Sequence, residues 1–270
     1  MGNEYTKDII SKWKINEFEK VIHEFHDDLS EITHQKVNVD DEYSTILLHI
    51  VGKSILVCRE VLTLCAHGYS DGAFSLGRNL YEQMIILLYL DQYKQDNNFQ
   101  RIIDDFTLSY EYKRNLFMKQ SSKYLSQIDT AEFDNALETI KKLTNTKISG
   151  EYWWADCNRF SKLVDSVMKP KKNDKEYAFL GLQYARYKRA CIELHAGCLG
   201  NANRIGCDTG WGVIDTSPSV DGQCAPLMFA VVSVIYIIGS IGTHFQMDIS
   251  KYINRLNALA KFYQVEEQES

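Results

Sequence analysis

Proline is scarce in this sequence, with 3 in 270 residues, and glycine numbers only 15. Little therefore interrupts long helices, and a proline- or glycine-rich linker that would split the chain is missing. No C-x-x-C pair occurs among the seven cysteines, which argues against a zinc ribbon or a dithiol redox motif. Several of these cysteines fall at apolar helical positions, where a free thiol acts as a small hydrophobe; this points to a reducing, cytoplasmic compartment. Excess positive charge is lacking too. The net charge of −6 argues against a protein that coats nucleic acid or an anionic membrane over its whole surface. No Walker A loop, G-x-G-x-x-G, G-x-S-x-G or internal repeat appears, nor any convincing period-two alternation. The first 30 residues read as polar and helical rather than as an apolar signal segment.

What is present is helical periodicity. The fold class expected is all-α: a single domain of about seven or eight helices, with a core over residues 14–262 and a disordered tail at 263–270. Ile15, Phe18, Ile22, Phe25, Leu29 and Ile32 form an apolar stripe over 14–34. A second helix runs from Asp40 or Asp41 to about His67 and ends at Gly68. A short turn then leads to the helix around which the chain is organised, residues 70–90. Two further helices are expected near 98–117 and 130–143. The aromatic connector Tyr152-Trp153-Trp154 leads to a short helix at 157–168, and a seventh helix spans about 174–195. Residues 199–224, rich in Gly, Asn and Asp, read as a long irregular loop. One last helix is expected over 225–262.

Within that last helix, residues 224–242 carry no charge, close to the length of a membrane span. Ser233, Gly239, Ser240 and Gly242 dilute it, its flanks lack Lys/Arg anchors, and its pattern runs on into an amphipathic segment. A buried core helix is the reading favoured over a membrane segment.

Chemistry-bearing residues concentrate in two places. Arg78 and Glu82 lie four residues apart, on one face of a largely apolar helix. Gly72 and Gly77 thin that helix just before the arginine, leaving room for a close approach. Farther on, residues 159–189 hold nine Lys/Arg against three Asp/Glu, about +6 in an otherwise acidic chain. Lys171, Lys172, Arg186 and Lys188, with Tyr184 and Tyr187, are the candidates there for gripping a phosphate or stacking on a base. No metal site and no cofactor are expected; Glu31-Ile32-Thr33-His34 is the one Glu-x-x-His, where a di-iron bundle needs two.

Arg189 and His195, with five residues between them, resemble the R-x(4–6)-H motif of HEPN domains, although Ala190 stands where that family favours a polar residue. The resemblance implies a metal-independent endoribonuclease, a toxin or defence protein, acting as a homodimer beside a cognate regulator. His195 would then transfer a proton, Arg189 or Arg78 clamp phosphate, and Glu82 orient one of them. Over residues 40–200 the order Arg78-x-x-x-Glu82, Trp segment, Tyr184-x-x-Tyr187 and His195 resembles a widespread bacterial family of helical proteins described as a domain of unknown function. That resemblance implies convergence of Arg78, Glu82 and His195, and supplies no reaction. The alternative is a non-catalytic helical module that binds RNA, a nucleotide or a partner protein.

Overall fold

The computed structural model describes residues 2–36, 41–122, 124, 130–144, 146–171, 175–194 and 222–269. Among them are ten α-helices and no strand. They are α1 (Gly2–Lys12), α2 (Ile15–Lys36), α3 (Glu42–Ala66), α4 (Ser70–Tyr93), α5 (Phe99–Ser122), α6 (Ala131–Leu143), α7 (Phe160–Met168), α8 (Lys175–Leu194), α9 (Cys224–Phe245) and α10 (Ser250–Glu269). The chain groups into two compact units, one of residues 1–88 with 173–270 and one of 89–172. The all-α expectation holds, with more helices than the periodicity separates.

The larger unit is built around α9. Leu227, Phe229, Ala230, Val231 and Ile241 on this helix are fully buried. Its mean hydropathy of 2.2 and its 22 residues would also suit a membrane crossing, but 72% of its most apolar stretch is buried inside the protein. α9 packs on α3 and α10, while α2 packs on α3 and α10 and α1 on α2 and α3. α3 ends where its glycine predicts. Gly68 sits at φ +80°, its N–H bonds to Cys65 O, and Tyr69 N–H reaches back to Leu64 O at 2.9 Å. The last carbonyls are thereby satisfied at little steric cost.

Three expectations about the ends of this unit need correction. An additional helix, α1, precedes the first expected one; its Ile9 is buried, and so is Trp13 just beyond it. The segment 225–262 is two helices. Gln246, at φ 54°, turns the chain after α9, and Met247 N–H caps Gly242 O at 2.9 Å. The apolar pattern runs across this break because both helices present apolar faces to the same core, so periodicity hides the turn. Finally, 263–269 is the last stretch of α10. Tyr263 is fully buried and its hydroxyl donates to Trp13 O at 2.9 Å, so the start of the segment is anchored in the core while Gln264 and Val265 are exposed.

The smaller unit pairs α5 with α6 and with the turn at Trp153–Ala155. Trp154 meets Phe106 and Tyr89 edge-on, at 4.8 and 5.4 Å between ring centroids. Arg101 gathers the loops onto α5: it donates to Asp105 (3.3 Å), Thr146 (2.6 Å) and Asp156 (3.2 Å). Thr146 in turn donates to the Asp105 carboxylate at 2.7 Å. Asp105 is almost wholly buried and so needs these partners.

Candidate functional site

Only the larger unit holds the sequence candidates from both α4 and α8. On α4, Phe74, Arg78 and Glu82 recur every four residues, and Tyr81 lies three residues after Arg78, so the four border one side of the helix. On α8, Tyr184, Tyr187 and Cys191 do the same. The two faces meet through rings. Tyr81 lies 5.3 Å from Tyr187 and 5.7 Å from Phe229 of α9, and Tyr184 stacks near-parallel on Tyr187 at 6.0 Å. The space beside Gly77 is taken by a side chain: a Cβ there would stand 2.9 Å from the Phe229 ring.

The polar groups sit at the edge of this aromatic packing. Arg78 Nε and Glu82 Oε1 are 3.7 Å apart, with side chains 26% and 25% exposed. The Tyr187 hydroxyl donates to the same Glu82 oxygen at 3.0 Å. The Cys191 sulfur is a hydrogen-bond partner of both Arg78 and Tyr187. Burial, followed by the Glu82 charge, pushes the Tyr187 phenol far above its usual range, so it stays a donor and is not a base. For Arg78, burial opposes the charge, but Glu82 and Cys191 outweigh it and the net shift is upward. The seam therefore holds a cation, a carboxylate that is ion-paired with it and accepts from the Tyr187 hydroxyl, and a half-exposed thiol.

Arg189 joins the seam from the other side. Its guanidinium lies 5.5 Å from the centre of the Phe74 ring, one helical turn from Arg78. Lys188 is exposed and covers Tyr184 at 5.4 Å. Arg186 is buried and ion-paired with Glu267 of α10, so its charge is compensated. The side chain of Lys171, together with Lys172, His195 and residues 195–221 that hold most of the expected loop, lies outside the described residues. Tyr81 is a member of the seam that the sequence reading passed over. Its spacing from Arg78 was the available signal, but in a helix this apolar it reads simply as core.

One other polar cluster is distinct in character. Ser44 Oγ lies 2.8 Å from His244 Nε2 and donates to the Asp41 carboxylate. Here the serine stands between acid and imidazole, whereas a hydrolase triad puts the imidazole in the middle. No group of three or more His, Cys, Asp or Glu suited to a metal ion occurs among the described residues.

The fold and the seam define an all-helical protein whose polar chemistry is carried by an Arg–Glu–Tyr contact between two helices. Residues 44–211 match a family described as a family of unknown function, DUF5677. The match covers more than half of the chain, and the chain belongs to that family. It takes in α3 to α8 and every seam residue of α4 and α8, while α1, α2, α9 and α10 lie outside it. No curated protein and no solved structure matches the chain.

Proposed function

We propose that the protein binds single-stranded RNA or a free nucleotide through the α4–α8 seam, with Arg78 and Arg189 holding phosphate. One observation carries this reading: the two arginines, far apart in sequence, lie along one edge of α4, with Phe74 under one and Glu82 fixing the other. An oriented guanidinium suits phosphate because its planar fork matches two oxygens at once. Exposed Lys188 adds positive charge at the rim. Glu82 and Tyr187 serve as positioning residues for Arg78.

The spacing of Arg189 and His195 favours a second reading, cleavage of the bound RNA without metal in the manner of HEPN domains. One experiment addresses both. Fluorescence anisotropy of an end-labelled RNA is followed in EDTA with wild type, Arg78→Gln and Arg189→Gln, and the RNA is then run on a gel. Losing one phosphate contact should weaken binding by about tenfold in each variant and lower the salt slope by about 1. Equal affinity in all three proteins would contradict the binding reading. Cleavage by wild type that His195→Ala loses would establish the second reading.

A further inference from the structure

The outer side of α5, in the smaller unit, carries large rings and cations together. Between Asp104 and Gln120 its exposed positions recur every three residues, with Arg114 beside them, and so trace one continuous stripe along the helix. In the middle of that stripe stand Tyr110, Lys113, Arg114 and Phe117. Tyr110 is 67% exposed and Phe117 65%; Tyr124, two residues past the end of the helix, is 89% exposed. Rings of this size ordinarily reach a core or an interface. The two cations are exposed as well. Lys113 faces Glu151 at 3.5 Å and the Tyr152 ring at 5.4 Å, and Arg114 faces Glu111 at 3.6 Å. Ion pairs this exposed hold their members weakly. The smaller unit counts 14 Lys/Arg against 12 Asp/Glu, whereas the rest of the chain counts 16 against 24.

We infer that this stripe is a docking surface for an anionic lipid membrane, with Tyr110 and Phe117 entering the headgroup region and Lys113 and Arg114 meeting lipid phosphates. The inference stands apart from the nucleic-acid reading, which concerns α4 and α8 of the larger unit. Exposed rings flanking cations are the residue set of helices that lie in a membrane interface, where the rings bury apolar area and the cations meet negative charge. The outer stripe of a single helix is convex, so it fits a broad surface better than a peptide, which is gripped in a groove. A second copy of this chain fits poorly. An antiparallel pair of α5 helices that set Tyr110 on its partner's Phe117 would also set Lys113 against its partner's Arg114, and like charges repel. The charge difference between the two units confines the attraction to the smaller one.

The test is flotation of the full chain with vesicles of phosphatidylcholine alone and of an equal mixture with phosphatidylglycerol. Wild type is compared with a ring variant (Tyr110→Ser with Phe117→Ser), a charge variant (Lys113→Gln with Arg114→Gln) and a seam variant (Arg78→Gln with Arg189→Gln). All four stripe side chains are exposed, so the ring and charge variants should keep their fold, which circular dichroism checks. Wild type should bind the mixed vesicles about tenfold more tightly than phosphatidylcholine alone. The charge variant should lose that preference, and the ring variant should float with neither. The seam variant should float like wild type. Wild type that fails to float with the mixed vesicles, or floats equally with both kinds, would overturn the inference. So would flotation that survives in both stripe variants. Flotation lost in the seam variant alone would place the lipid phosphate on α4 and α8 and overturn it too. A wild-type dimer in analytical ultracentrifugation that the ring variant converts to monomer would assign the stripe to self-association instead.

Discussion

At Gly77 the α4–α9 packing leaves no room for a methyl group. The Phe229 ring occupies the place of the missing side chain, so Gly77→Ala should destabilise the protein by about 1–3 kcal/mol through overpacking. A lowered thermal midpoint with unchanged helicity is the expected signature. Gln183 presents the opposite case. It is fully buried, and neither amide atom meets a hydrogen-bond partner among the described residues. Gln183→Met should therefore raise stability by about 1 kcal/mol; a loss in denaturant titration would show that the amide has a partner. The thiols separate just as cleanly. Burial pushes Cys58 and Cys224 up to about 12, and Cys65 and Cys157 upward as well. Cys191, half-exposed beside the Arg78 guanidinium, should be alkylated first among these five, as peptide mapping after brief iodoacetamide treatment would show. At this scale the sequence was half legible. The four-residue spacing of Arg78 and Glu82 announced their pairing. Cys191 and the compensation of Arg186 by Glu267 depend on which helices come together, and no local spacing encodes that.

Among the elements, the turn between α9 and α10 is the least obvious from sequence. A glutamine, Gln246, occupies the left-handed position where glycine is preferred. Gln246→Gly should therefore stabilise the protein by about 0.5–1 kcal/mol, read as a higher urea midpoint. A drop in midpoint would mean that the Gln246 side chain contributes more than its backbone strain costs. With neither glycine nor proline at that turn, 225–262 reads as one helix, whereas Gly68 makes the end of α3 plain. The length of α10 was hidden for a different reason. Residues 264–269 are mostly polar, and only the burial of Tyr263 and the Arg186–Glu267 pair reveal that this end packs. In the smaller unit, Arg101 and Asp105 repeat the four-residue spacing of Arg78 and Glu82 in a structural role. Asp105→Ala should cost about 1.5–3 kcal/mol, because charge-assisted hydrogen bonds from Arg101 and Thr146 are lost together.

For the whole molecule, acid should act through the carboxylates held below their usual range. Hydrogen bonds from Lys251 and Tyr252 lower Asp28. Burial would raise Asp41, but the hydrogen bonds from Ser44 outweigh it and the net shift is downward. A carboxyl group with a depressed folded-state value contributes stability that is complete above its unfolded value of about 3.9 and is lost as pH falls through the folded value. The thermal midpoint should therefore hold from neutrality to about pH 5 and fall below about pH 4. The fall should be shallower in Asp28→Asn; an identical profile would remove Asp28 from the account. The all-helical architecture was legible throughout, since long apolar periodicities leave little choice of fold class. The division into two compact units was not, because the boundary between Leu88 and Tyr89 falls inside one continuous helix, α4. If phosphate-bearing ligand binds on the α4–α8 seam, hydrogen–deuterium exchange with a saturating oligoribonucleotide, compared with the free protein, should show protection concentrated in residues 70–88 and 175–194. Protection confined to 99–143, or none at a ligand concentration that saturates binding, would contradict binding there.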